Sequence, residues 1–117
     1  PELFQSLSAF APITSAPNLD WSKVALEAYL GEGADFSDHD ACALVKSKGW
    51  KGTILADQGE ADQFLDSGLR PDWLKKACEE AGQAAQIDLQ PGHDHSYYFI
   101  ATFMEKHMRF HADILKA

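Results

Sequence analysis

Three short apolar segments punctuate the chain, separated by longer stretches in which apolar residues recur every three or four positions. The first, Phe4–Ile13 ("FQSLSAFAPI"), runs into a loop marked by Pro12, Pro17 and Asn18. The second, Gly52–Gly59 ("GTILADQG"), is a compact run closed by Asp57 and Gly59. The third, Ala84–Gly92 ("AAQIDLQPG"), alternates and stops at Pro91-Gly92. Each has the length and the flanking turn residues of a β-strand.

The intervening stretches read as helices. Asp20 is placed to cap a helix over Trp21–Leu30 that Gly31 stops. Ser37 or Asp38 is placed to cap a segment through Lys48, ahead of Gly49. Pro71 suits the first turn of a helix reaching Ala81, with an apolar stripe of Leu74, Ala77, Cys78 and Ala81 and with Gly82 just beyond. The last element, about Ser96 to Lys116, is the clearest. At 100° per residue Ile100, Phe103, Met104, His107, His111, Ile114 and Leu115 share one face, and Glu105, Arg109, Asp113 and Lys116 the other.

Strands alternating with helices predict an α/β protein with a parallel sheet, because helical crossovers of this length return the chain in the same direction. Chemistry in such sheets gathers in the loops beyond the carboxyl ends of the strands. Two loops there carry candidate groups: "DQGEADQF" with Asp57, Glu60 and Asp62, and "PGHDHS" with His93, Asp94 and His95.

An acid loop and a histidine loop after neighbouring strands can hold a carboxylate–imidazole pair, in which the carboxylate fixes the ring tautomer and the imidazole serves as general base. Acids can equally cap the next helix, and histidines can simply decorate a turn. A metal site is a second possibility. His107 and His111 have the i,i+4 spacing that can grip zinc, and His93 and His95 are two apart. Both helix histidines lie inside the apolar stripe, however, where partnered core histidines are commoner. Tyr97, Tyr98, Phe99 and Phe103 fit either a ligand pocket or a core, and Trp21, Trp50 and Trp73 read as packing anchors. Cys78 reads as a buried thiol, since a nucleophilic cysteine needs a base beside it.

Composition narrows the partners. The 117 residues suffice for one core, and 45% hydrophobic with 24% charged residues is ordinary for a globular chain. A net charge of −8, with no basic run longer than Lys75-Lys76, makes nucleic acid and anionic membrane surfaces poor partners. No apolar run is long enough to span a bilayer. Two isolated cysteines, Cys42 and Cys78, fit reduced thiols and a cytoplasmic setting.

A base needs a nucleophile. The G-x-S-x-G turn that presents serine in α/β-hydrolases is missing: none of the serines, at 6, 8, 15, 22, 37, 47, 67 and 96, sits between two such glycines. On its residues alone the chain leaves open a non-catalytic binding module or a His-rich metal-binding domain beside part of an enzyme.

The segments "SLSAFAPI", "YLG", "LADQGEADQFL", "LRPDWLKKAC" and "LQPGHDHSYYFIATFMEKHMRFHA" closely resemble the carboxyl-terminal part of the S-formylglutathione hydrolase (esterase D) family, in order and nearly end to end. The most specific stretches are Asp94–Phe103 ("DHSYYFIATF") and Asp57–Phe64 ("DQGEADQF"). Small departures, such as Ala61 and the "PGH" before Asp94, leave Asp62 and His95 untouched.

The resemblance implies an α/β-hydrolase domain more than twice this length, with a Ser-Asp-His triad whose acid is Asp62 and whose base is His95. Asp57 and His93 then stand outside the triad. The serine elbow and the oxyanion-hole donors would lie just before Pro1, so the chain reads as the carboxyl-terminal portion of one domain: about three parallel strands, their crossover helices and a long last helix. The implied reaction is hydrolysis of S-formylglutathione, or of small acyl esters, to formate and glutathione in formaldehyde detoxification. Tyr97 and Tyr98 would line the substrate pocket, and neither cofactor nor metal is required. Without its serine the chain is expected to be inactive alone. Its first strand would form an open apolar edge, inviting a homo-oligomer or pairing with the amino-terminal half.

Overall fold

The computed structural model describes residues 2–117. Three parallel strands form one sheet in sequential order: β1 (Leu7–Phe10), β2 (Ile54–Gly59) and β3 (Ala85–Gln90). Four α-helices connect and follow them: α1 (Asp20–Leu30), α2 (Ala41–Ser47), α3 (Pro71–Ala81) and α4 (Tyr97–Lys116). The α/β class, the parallel sheet and the long last helix are as the pattern predicts.

β2 is central and buried along all six residues, which is why it reads as a continuous apolar run instead of an alternating one. Its side chains still alternate between faces. Ile54 joins a core cluster with Val45, Leu74, Ala77 and Cys78 from α2 and α3, packed by Cys42, Trp50 and Ile87. Asp57, three residues on, meets α4. The opposite parity of those two residues places α2 and α3 on one face of the sheet and α4 on the other.

Several boundaries differ from the sequence reading, each for a local reason. Asp20 opens α1 instead of capping it; Leu19 holds the cap position. Residues Ser37–His39 form a separate 3-10 turn, and Asp40 caps α2, its carboxylate accepting the Ala43 amide at 3.2 Å. Asp40 also accepts from the Ser15 hydroxyl at 2.9 Å, so it anchors the β1–α1 loop as well. β1 is only four residues long because Ala11 turns into the left-handed region, φ 45°, immediately after Phe10.

The buried face of α4 keeps Ile100, Phe103, His107, His111 and Ile114 of the predicted stripe but is rotated part-way toward Phe99. Phe99 and His107 are its buried residues, while Met104 and Leu115 are exposed. Polar bonding sets the rotation. In the β2–β3 register Asp57 lies opposite Asp88, which places two carboxylates side by side beneath the helix. Lys106 bridges them, 2.9 Å from Asp57 and 2.7 Å from Asp88. Trp21 is also exposed and anchors nothing, unlike Trp50, which packs on the core cluster.

Candidate active site

The loops beyond β2 and β3 are stitched together by backbone bonds. The Glu60 amide donates to the Gln90 carbonyl at 3.0 Å and the Ala61 amide to the His93 carbonyl at 2.9 Å. This approach requires a glycine at 59. A Cβ there would lie 2.4 Å from the His93 carbonyl oxygen and 2.7 Å from that of Asp94. Gly59 is not among the residues with left-handed φ, so close backbone approach alone is what excludes a side chain.

That stitching brings Asp62 and His95 together. His95 Nδ1 lies 2.7 Å from Asp62 Oδ2. The Asp62 side chain is fully buried, whereas that of His95 is 45% exposed. Two more donors fix the carboxylate: the Phe64 amide on Oδ1 at 2.8 Å and Gln58 Nε2 on Oδ2, also at 2.8 Å. The Phe64 ring stands edge-on to the imidazole, centroids 5.2 Å apart, and limits its rotation. With Nδ1 held by the carboxylate, Nε2 is the bare ring nitrogen, able to take a proton from a group beyond it. Among the described residues no side chain bonds to Nε2, and no serine of the chain bonds to His95.

His95 lines an open cleft of about 380 Å³ with Phe10, Ala11, Ser96, Tyr97, Phe99 and Ile100. Tyr97 is thus on the cleft wall. Tyr98 is not; both tyrosines are strongly exposed.

The other three candidate histidines are engaged in other ways. His93 packs against Phe103 and Phe99, with centroids 5.0 and 6.0 Å away. His107 gives Nε2 to Asp57 at 2.8 Å and stacks on Phe10 at 3.8 Å. His111 bonds the hydroxyls of Ser6 and Ser8, at 2.7 and 2.8 Å, holding β1 to α4. The i,i+4 pair therefore clamps the helix to two strands. Among the described residues no group of three or more His, Cys, Asp or Glu side chains could hold a metal ion.

Asp57, wholly buried, serves the clamp and not the candidate pair, bonding His107, Lys106 and Gln90. The Lys106 hydrogen bond holds the Asp88 carboxyl below its usual range. Burial pushes the Cys42 thiol up to about 11, and Cys78 is raised for the same reason. Both cysteines are free. Sequence reasoning missed Gln58, an amide side chain inside a wholly buried strand; a polar residue directly after "ILAD" was the available signal.

Comparison with known proteins bears on this geometry. A family model described as "Putative esterase" matches residues 1–110. The chain belongs to that esterase family. Two similar proteins are the S-formylglutathione hydrolases of Paracoccus denitrificans, 44% identical over 98% of the chain, and of Arabidopsis thaliana, 44% identical over 97%. The solved S-formylglutathione hydrolase of Agrobacterium tumefaciens superposes with a TM-score of 0.92 at 45% identity, over 98% of the chain. The chain spans 41%, 40% and 42% of the lengths of these three, about two fifths in each case. No helix among the described residues is long and apolar enough to cross a membrane.

Proposed function

We propose that this chain carries the acid and the base of a serine hydrolase that cleaves S-formylglutathione and small acyl esters, as the carboxyl-terminal portion of one α/β-hydrolase domain. The observation that carries the reading is the 2.7 Å bond from His95 Nδ1 to the buried, triply bonded Asp62, with the imidazole opening onto a cleft. The relatives' activity as S-formylglutathione hydrolases supplies the substrate class.

The residues divide the work as follows. Asp62 accepts the Nδ1–H and so leaves Nε2 basic. His95 removes the proton from a serine hydroxyl as that oxygen attacks the thioester carbonyl. The resulting imidazolium is stabilised by Asp62 and returns the proton to the departing thiolate of glutathione. His95 then deprotonates a water that attacks the formyl-enzyme, releasing formate and freeing the serine. The serine and the oxyanion donors come from sequence outside these 117 residues, and no metal or cofactor enters any step. Tyr97, on the cleft wall, contacts substrate, whereas Tyr98, expected to do so from the resemblance, does not line the cleft. The free, protonated cysteines suit a reducing, cytoplasmic setting for formaldehyde detoxification.

The 117-residue chain alone is expected to hydrolyse neither S-formylglutathione nor p-nitrophenyl acetate. A chimera in which it replaces the matching portion of the Paracoccus denitrificans enzyme is expected to hydrolyse both, and His95→Ala or Asp62→Asn to cost that chimera about 10⁴-fold or more in kcat. Near-normal rates in both variants would refute the assignment.

A further inference from the structure

We infer that Gln58 is a positioning residue, whose amide aims the Asp62 carboxylate at His95 and sets the ring's tautomer. This deepens the proposed function and rests on the Asp62–His95 pair being the acid and base.

Gln58 is wholly buried in β2. Its Nε2 donates to Asp62 Oδ2 at 2.8 Å and to the Gly59 carbonyl at 3.1 Å. Both amide hydrogens thus meet acceptors, and reversing the amide would set Oε1 against those same two oxygens. The side chain can hold only one orientation, and in it the amide can only donate to Asp62. Gln58 Oε1 has no donor among the described residues. A buried amide oxygen left without a partner is unfavourable, and a methionine would fill the space without it. What distinguishes glutamine here is the bond to Asp62.

That bond lands on the oxygen His95 uses. Oδ2 receives Gln58 and His95, while Oδ1 receives the Phe64 amide. Two fixed donors from β2 and its following loop define the carboxylate plane. The remaining lone pair of Oδ2 is then directed at Nδ1 before any substrate arrives. Without Gln58 only the Phe64 amide and His95 itself would orient the carboxylate, and the carboxylate would share its time among rotamers. His95, nearly half exposed, would then relax toward the Nε2–H tautomer, which cannot accept a proton at Nε2. Gln58 touches neither substrate nor the reacting atoms, so its effect passes entirely through Asp62.

The ring nitrogens report this directly in the 117-residue chain, independent of catalysis. Nitrogen-15 shifts, read above the titration range of the imidazoles, are expected to show His95 as the Nδ1–H tautomer and His107, whose Nε2 faces Asp57, as the Nε2–H tautomer. Gln58→Met is expected to lower the Nδ1–H to Nε2–H ratio of His95 roughly fivefold, the scale of one net hydrogen bond, with His107 unchanged. Gln58→Leu, which likewise removes the donor and adds no titratable group, is expected to do the same. An unchanged His95 ratio in either folded variant overturns the proposal. So does loss of the His107 signature in both variants, since the role would then be structural. Failure of the underlying pair looks different: wild-type His95 would itself show the Nε2–H tautomer, unaffected by Asp62→Asn.

Discussion

Replacing Gly59 with alanine tests how the two site loops are held. The added Cβ would sit 2.4 Å from the His93 carbonyl oxygen, 2.7 Å from that of Asp94 and 2.8 Å from the His93 carbonyl carbon. Even a favourable carbon–oxygen contact rests at about 3.3–3.6 Å, so the 93–94 backbone must retreat by about 1 Å. Gly59 ends the buried strand β2 and His93 is held by backbone bonds to Ala61 and Gln90, so no flexible side chain can yield in their place. The retreat would stretch the Ala61 amide to His93 carbonyl bond, now 2.9 Å, beyond hydrogen-bonding range. Strain of this kind costs about 1–3 kcal/mol and the lost bond about 1 kcal/mol, offset by up to about 1 kcal/mol because alanine restricts the unfolded chain. The net loss of roughly 2–3 kcal/mol lowers Tm by about 8–15 °C for a chain of this size. Circular dichroism melts measure it, and the His95 tautomer reports whether the pair survives. A Tm within about 2 °C of wild type, with His95 still the Nδ1–H tautomer, would refute the claim that close approach at Gly59 builds the site.

Three further outcomes follow from the same structure. Lys106→Met leaves Asp57 and Asp88 adjacent with no cation between them, and chemical denaturation is expected to show a loss of about 2–4 kcal/mol at neutral pH. Because Lys106 depresses the folded-state pKa of Asp88, that ion pair stabilises above the unfolded carboxylate value and fades as pH falls below about 4; the gap between wild type and Lys106→Met is therefore expected to narrow in acid, and a gap constant with pH would contradict the pairing. Cys42, raised from 9.0 to about 11, is expected to alkylate with iodoacetamide at pH 8 about 100-fold more slowly than an ordinary thiol, and labelling at a free-thiol rate would contradict its burial. Among the described residues β1 pairs only with β2 and leaves its other edge open beside exposed Leu3, Phe4 and Leu7; light scattering of the isolated chain is expected to show self-association, and one monodisperse 12.9 kDa species would count against it.

Much of the fold was legible because its signals are local. β2 announced itself as an apolar run between glycines, and Pro71 and Gly82 bracketed α3 as proline and glycine bracket helices. The rotation of α4 was not legible. It depends on Asp57 lying opposite Asp88 across two strands and on Lys106 reaching both, a register that no window along one segment contains. A periodicity count put Met104 and Leu115 on the stripe and left Phe99 off it, since it scores apolarity and not what lies opposite. The cap of α2 was missed because Asp40 follows two equally plausible caps, and the choice is made by Ser15, twenty-five residues upstream.

The candidate pair divides the same way. Spacing nominated two loops but could not choose between His93 and His95, or between Asp57 and Asp62. The family resemblance chose, and the fold brings the chosen residues to 2.7 Å of each other. The roles of Gln58 and Gly59 escaped notice because they lie in a buried amide and a close backbone contact, neither of which has a periodic signature.

The chimera with the Paracoccus denitrificans amino-terminal portion, assayed for S-formylglutathione hydrolysis with His95→Ala and His93→Ala side by side, tests the central claim most directly. The assignment of His95 as base predicts that kcat falls by about 10⁴-fold or more in His95→Ala and changes less than about tenfold in His93→Ala, which loses only packing against Phe99 and Phe103. Comparable losses in the two variants, or a His95→Ala chimera that turns over at the parent rate, would contradict it.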